Sequence, residues 1–259
     1  MFMSDSCRTI AANQALIRGA AFSGRGEVRS SNEDNMSVDG SVLPHEELQE
    51  ILLTGDTDHL VLVADGMGGH AKGEVASHLA LASLNARWCE RRPEFDESQA
   101  IRSANERVYA EMARDSTRRG MGATLAGLHL RSVEGSWFNV GDSRIYHYRA
   151  GRLRQLSVDH VPRGDTSAGR ARSHRITQAI GGGYAPVEVW PAVGAIKLQR
   201  RDRILLCTDG LTDVLTDHQI ATIIAECTTV SETAIRLKAA VFDAGAPDNV
   251  TCLLLERVT

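Results

Sequence analysis

Four apolar runs in this 259-residue chain meet an aspartate at one end. HLVLVAD stops at Asp65, SWFNVGD at Asp142 and RILLCTD at Asp209, while Asp248 stands just ahead of NVTCLLLERV. A lone Asp-Gly turn is usually only a turn. A strand that buries its side chains and ends this way nevertheless brings a carboxylate to the rim of a sheet. Several such ends, remote in sequence, point to carboxylates gathered in one place. Hard divalent cations favour that all-oxygen surround.

The order of elements narrows the fold. A short strand in AAFSGRG leads through a polar loop and a mixed insertion at 40–58 to the buried strand HLVLVAD. After the glycine-rich GMGGHAKG, Val75, Leu79, Ala82 and Ala86 share one helical face, and Pro93 stops that helix. Ile101, Ala104, Val108 and Met112 mark a second helix, expected antiparallel to the first. ATLAGLHLR and GSWFNVGDSRIYHYRAGRLRQLS read as a meander turning at Glu134-Gly135 and Ala150-Gly151. Residues 159–183 read as a polar, basic surface loop. A strand then precedes two more helices, with Asp217 and Ser231 as N-caps, and NVTCLLLERV closes the chain. Strands in runs and helices in pairs indicate an α+β fold with antiparallel sheets, not regular βαβ alternation. Residues 1–18 read as a loosely attached leader and 19–259 as one domain.

Composition excludes several function classes. A net charge of −4 argues against nucleic acid as a partner. No run of 18 apolar residues marks a transmembrane helix, and the N-terminus makes a poor signal peptide. Five cysteines without a CxxC imply no disulfide framework and a reducing, cytoplasmic setting, with Cys207 and Cys252 as buried thiols. Neither GxGxxG nor GxxxxGK[ST] occurs, so nucleotide binding is weakly supported.

The polar cluster RSSNED adds Arg29, Glu33 and Asp34 to the acids, and Asp213 follows Asp209 closely. Acids converging without cations would repel strongly. Two metals roughly 3.5–4 Å apart relieve that repulsion and share a bridging water whose pKa they lower. The resulting hydroxide suits attack on phosphorus, and Arg29 would grip phosphate oxygens as a planar fork.

The segments RSSNEDN, VADGMGGHAKGEVAS, GATLAG, NVGDSRIY, LSVDH, RITQAIG, LLCTDGLTD and PDNVTCLLLE follow one another in this order. Together they resemble the bacterial metal-dependent serine/threonine protein phosphatases of the 2C type, the PPM family, over roughly residues 19–257. The resemblance implies a four-layer α/β/β/α sandwich of two antiparallel sheets flanked by helix pairs. It implies Mn²⁺ or Mg²⁺, two per site, with Asp65 bridging them and the Gly66 carbonyl, Asp209 and Asp248 as further ligands. Glu33 and Asp34 would act partly through metal-bound waters, Arg29 would hold the phosphate, and Asp142 and Asp213 match a third, weaker site of some bacterial relatives. The implied activity is hydrolysis of phosphoserine and phosphothreonine by a monomer, opposing a serine/threonine kinase, with no membrane partner. The alternative is a catalytically silent regulator that binds metal or phosphoprotein. The full set of acids argues against it. A domain controlling sigma-factor antagonists would normally carry sensor or membrane segments, and none is visible.

Two departures from the family stand out. Animal relatives carry a histidine after the Asp-Gly as general acid, whereas this chain has Met67, leaving a metal-bound water or His70 for that role. The flap after LSVDH, near 159–177, is short and basic. Its arginines, Arg163, Arg170, Arg172 and Arg175, form either a solvated loop or a docking strip for acidic phosphopeptides, with Arg163 and Arg172 as substrate contacts. Short flaps of this kind resemble those of phosphatases that oppose kinases of type VI secretion systems.

Overall fold

The computed structural model describes residues 15–68, 71–162 and 175–259. Two six-stranded antiparallel sheets lie face to face among these residues. The first comprises β1 (Ala15–Gly24), β4 (Gln49–Thr54), β10 (Arg144–Arg149), β11 (Arg152–Gln155), β14 (Arg203–Cys207) and β15 (Val250–Arg257), in the order β11-β10-β14-β15-β1-β4. The second comprises β2 (Asn35–Val38), β3 (Ser41–Val42), β5 (Asp58–Ala64), β8 (Leu125–Arg131), β9 (Glu134–Val140) and β13 (Ala192–Lys197), in the order β13-β9-β8-β5-β2-β3. A small ladder of β6 (Gly66–Met67), β7 (Gly122–Ala123) and β12 (Ile180–Gly181) extends from the end of β5.

Helices cover both outer faces, completing the expected four layers. Helices α1 (Ala71–Arg91) and α2 (Glu97–Arg114) pack on the second sheet, and α4 (Asp217–Glu226) and α5 (Val230–Asp243) on the first. The short α3 (Asp209–Thr212) follows β14 directly. Strand β5 shows why its sequence reads as an unbroken apolar run. Leu60, Leu62 and Ala64 face the α1–α2 layer, while Val61 and Val63 face the other sheet. Both sides of the strand are buried, so period-2 alternation between apolar and polar disappears. Each such Leu or Val contributes ~1.5–3 kcal/mol of transfer free energy. In β15, Leu253 and Leu255 enter the inter-sheet core, and Cys252 and Leu254 the helix-facing one.

The structure corrects several local expectations. The supposed meander is two hairpins in different sheets, β8–β9 and β10–β11, and the chain changes sheet at Gly141–Asp142–Ser143. Gly141 makes that corner with φ +91, and a Cβ there would lie 2.7 Å from the Thr124 methyl. The first hairpin turns at Ser132–Val133, with Ser132 at φ 60, because Glu134 is already paired with Arg131. The second turns at Ala150–Gly151 as expected, at φ 49 and 80. The N-caps are Thr216, in a capping box with Gln219, and Thr229, rather than Asp217 and Ser231. Strand β1 begins at Ala15, so pairing starts before the expected boundary at Gly19, and Ile17 is already buried opposite Arg257. Residues 1–14 of the expected leader lie outside the described residues. Cys207, Cys227 and Cys252 are free and buried. No helix among the described residues is long and apolar enough to cross a membrane.

Candidate metal centre

Strand ends from both sheets meet at one rim of the sandwich. Asp65 follows β5 of the second sheet, and Asp34 immediately precedes β2 beside it. From the first sheet, Asp209 opens α3 after β14, and Asp248 precedes β15. Asp142 sits on the crossover between the sheets, and Asp213 caps α3 at its C-terminus.

The electrostatics show that these acids gather. Burial, then the charges of Asp209, Asp34, Asp142 and Asp248, push the Asp65 carboxyl well above the usual carboxylate range. Burial, then Asp142, Asp213, Asp248 and Asp34, do the same to Asp209. Asp142 is raised by burial and by Asp159 and Asp213. Asp34 rises to about 7, chiefly through burial, against hydrogen bonds from Thr251 and Thr208. Two unit charges about 4 Å apart repel by roughly 4 kcal/mol at a protein-surface dielectric. The group therefore requires bound protons or cations to stay together.

Neighbouring hydroxyls, amides and tight glycine contacts fix several of these residues. Asp34 Oδ2 accepts from Thr208 Oγ1 at 2.9 Å and Thr251 Oγ1 at 2.8 Å, and these threonines bond each other's backbone across β14 and β15. Asp65 N–H donates to Thr124 Oγ1 at 3.0 Å, the Thr124 amide returns a bond to Asp65 O at 2.9 Å, and Ser143 Oγ lies 2.6 Å from the same hydroxyl. Gly66 is pressed against Gly73 in the first turn of α1, where any Cβ would meet the Glu33 carboxylate. Asn249 ties the Arg25–Glu33 loop to the start of β15 by accepting from Glu33 N–H and donating to the carbonyls of Arg25 and Ser31. That loop presents Arg29, whose guanidinium meets Asp248 Oδ2 at 2.5 Å. The bond to Asp248, then the charges of Asp248, Glu33 and Asp65, raise the Arg29 pKa against a smaller desolvation penalty.

The residue types fit a hard cation. Asp34 Oδ1 is buried without a hydrogen-bond partner, and the Asp65 carboxyl lies beside Asp34, so the place suits an oxygen-seeking cation. No three of the acidic, histidine or cysteine side chains among the described residues already stand as a finished set of ligands.

The structure thus brings together Glu33, Asp34, Asp65, Gly66, Asp142, Asp209, Asp213, Asp248 and Arg29. It does not place Arg163, Arg170, Arg172 or His70, which lie outside the described residues. His160 anchors the loop after β11: its amide donates to Gly141 O at 2.9 Å, and its Nδ1 accepts from Gly141 N–H at 3.2 Å. The sequence reading overlooked the supporting residues Thr208, Thr251, Ser143, Gly73 and Asn249. A signal was present in part, because each lies within a segment that also carries one of the acids or follows one closely.

The sequence profile described as "Protein phosphatase 2C" matches residues 49–241. The chain belongs to the protein phosphatase 2C family. Among curated members of that family, the serine/threonine protein phosphatase PstP of Mycobacterium tuberculosis is 32% identical over 94% of this chain, and this chain spans only 45% of its length. The serine/threonine phosphatase stp of Listeria monocytogenes is 34% identical over 90% of this chain and 93% of its own. A crystal structure of M. tuberculosis PstP superposes with a TM-score of 0.77 at 30% identity, covering 94% of this chain and 99% of that one. A PstP catalytic domain in complex with two manganese ions gives 0.74 at 30% identity, with the same coverage. PppA, a regulatory component of the type VI secretion system in Pseudomonas aeruginosa, gives 0.73 at 28% identity over 93% of this chain and 98% of its own.

Proposed function

We propose that this chain hydrolyses phosphoserine and phosphothreonine in proteins with Mn²⁺ or Mg²⁺. The observation that carries the proposal is the meeting of Asp34, Asp65, Asp209 and Asp248 at one rim, where burial and then the charges of neighbouring acids raise the carboxyls of the first three. Membership of the protein phosphatase 2C family supports the same reading. A pair of divalent cations, when bound, would stabilise charge on the phosphoryl oxygens and make water a competent nucleophile near neutral pH.

The chain's own groups divide the remaining work. Asp65 and the Gly66 carbonyl, with Asp209 and Asp248, would hold cations from strands of both sheets, and Asp142 with Asp213 would hold a third. Thr208 and Thr251 keep one oxygen of Asp34 engaged and leave the other without a partner. Glu33, fixed through its backbone by Asn249, would order water at the rim. Arg29 would hold the phosphate in a bidentate fork, aligning it for in-line displacement. The basic flap near 159–177, through Arg163 and Arg172, would receive acidic phosphopeptides. Opposition to a serine/threonine kinase follows from the reaction, and the likeness to PppA supports a role beside type VI secretion.

The test is turnover of a phosphothreonine peptide by the purified chain. Chelation should abolish it, and Mn²⁺ or Mg²⁺ should restore it. Undiminished turnover in excess chelator would rule the assignment out, and no turnover with either ion would favour the silent regulator.

A further inference from the structure

Both oxygens of Asp248 are engaged within the chain. Oδ1 accepts from the Asn249 amide at 2.7 Å, and Oδ2 takes the Arg29 guanidinium at 2.5 Å. Asp34 differs, with Thr208 and Thr251 holding one oxygen and the other without a partner. A divalent cation drawing on Asp248 Oδ2 would stand against a guanidinium already in contact with that oxygen. Like charges at such separation repel, so one must yield. Arg29 can yield because its side chain is 51% exposed. Its backbone stays in place, since the Arg29 carbonyl accepts from Arg25 at 3.1 Å and Asn249 ties both sides of the loop. A guanidinium compensated by Asp248 also has less charge to offer a phosphate.

We infer that the Arg29–Asp248 ion pair is a latch between the cation and phosphate sites. A cation at Asp248 releases Arg29, and the released side chain becomes the phosphate clamp. The inference rests on the two-cation reading proposed above. It sets an order of events, cation before phosphoester, and makes Arg29 a competitor of the metal and a partner of the substrate in turn.

The test follows Arg29 by NMR of arginine Nε–Hε groups while the full chain is titrated with Mg²⁺ in phosphate-free buffer. Loss of one signal in Arg29→Lys assigns the resonance. The Arg29 signal should move with the midpoint of the Mg²⁺ isotherm measured by calorimetry. Arg29→Ala should bind Mg²⁺ roughly two- to fivefold more tightly, the range of an exposed ion pair. That gain should vanish when Asp248→Asn is already present. An unmoved Arg29 signal while Mg²⁺ binds overturns the latch and leaves the two-cation reading intact. So does a gain that survives in the Asp248→Asn background, which would mark diffuse charge effects. Failure to bind Mg²⁺ at all removes the two-cation reading and the latch together.

Discussion

Asn249 and Glu33, 216 positions apart, are joined by a 2.8 Å hydrogen bond from the Glu33 amide to Asn249 Oδ1. The same side chain donates to Arg25 O at 2.9 Å and Ser31 O at 2.8 Å, so both amide protons are used. Asn249→Ala would leave the buried Glu33 amide and two part-buried carbonyls without this partner. The expected cost is about 1–3 kcal/mol, read as a lower melting temperature. Loss of the clamp should also raise KM for a phosphopeptide, because the loop carries Arg29. An unchanged KM would mean that Arg29 does not depend on this tie.

Asp65→Asn and Asp209→Asn should separate stability from activity. Burial and neighbouring acids raise both carboxyls well above their usual range, so the folded chain resists their ionisation. A raised folded pKa gives stability that is present at low pH and lost as pH rises through it. In chelator at pH 7 each variant should therefore melt at or above the wild-type temperature, with the difference shrinking as pH falls toward 4. Phosphopeptide turnover with Mn²⁺ should fall on the order of a thousandfold. Turnover within tenfold of wild type would remove that residue from the centre.

Asp65, Asp142, Asp209 and Asp248 were legible in the sequence because each closes or opens an apolar run, and a strand end has few destinations. Glu33, Asp34 and Asp213 lie outside such runs and were legible only through the polar cluster, the neighbourhood of Asp209 and the family resemblance. From the residues alone the fold was legible as α+β with antiparallel sheets and paired helices, and the four layers came from the family resemblance. The unbroken apolar run of β5 said that both its faces are buried, and the structure shows that helices cover Leu60 and Leu62 and the other sheet covers Val61 and Val63. The sheet change at Gly141–Asp142 was not legible. A positive φ at glycine serves a hairpin turn and a crossover equally well, and only the partners chosen by β9 and β10 decide between them. Asn249 was also hidden, because its three partners lie more than two hundred positions away.

Gly73→Ala sets local preference against packing. Gly73 lies in the first turn of α1, where alanine is favoured by ~1 kcal/mol in an exposed helix. Here the new Cβ would meet the Glu33 carboxylate and lie 2.6 Å from Gly66 O. Overpacking of this kind costs ~1–3 kcal/mol. The variant should melt lower and bind Mn²⁺ less tightly by calorimetry, because Glu33 and Gly66 must both shift. A higher melting temperature would show that propensity wins and that the approach of α1 to the site is loose.

Glu97 and His129 give a stability prediction outside the metal centre. Glu97, in the first turn of α2, accepts from His129 Nδ1 at 2.8 Å and from Ser136. Burial alone would raise its pKa, but these hydrogen bonds outweigh it and hold the carboxyl at about 2, below the ordinary 4.5. A depressed folded pKa gives stability that is present above the unfolded value and lost as pH falls through the folded one. The wild type should thus exceed Glu97→Gln in stability at pH 7, and the margin should shrink between roughly pH 4.5 and 2. Because the acids of the metal centre are common to both chains, their opposite pH dependence cancels in the difference. Urea denaturation of the pair across that range measures it, and a constant margin would show that Glu97 acts there by packing rather than by charge.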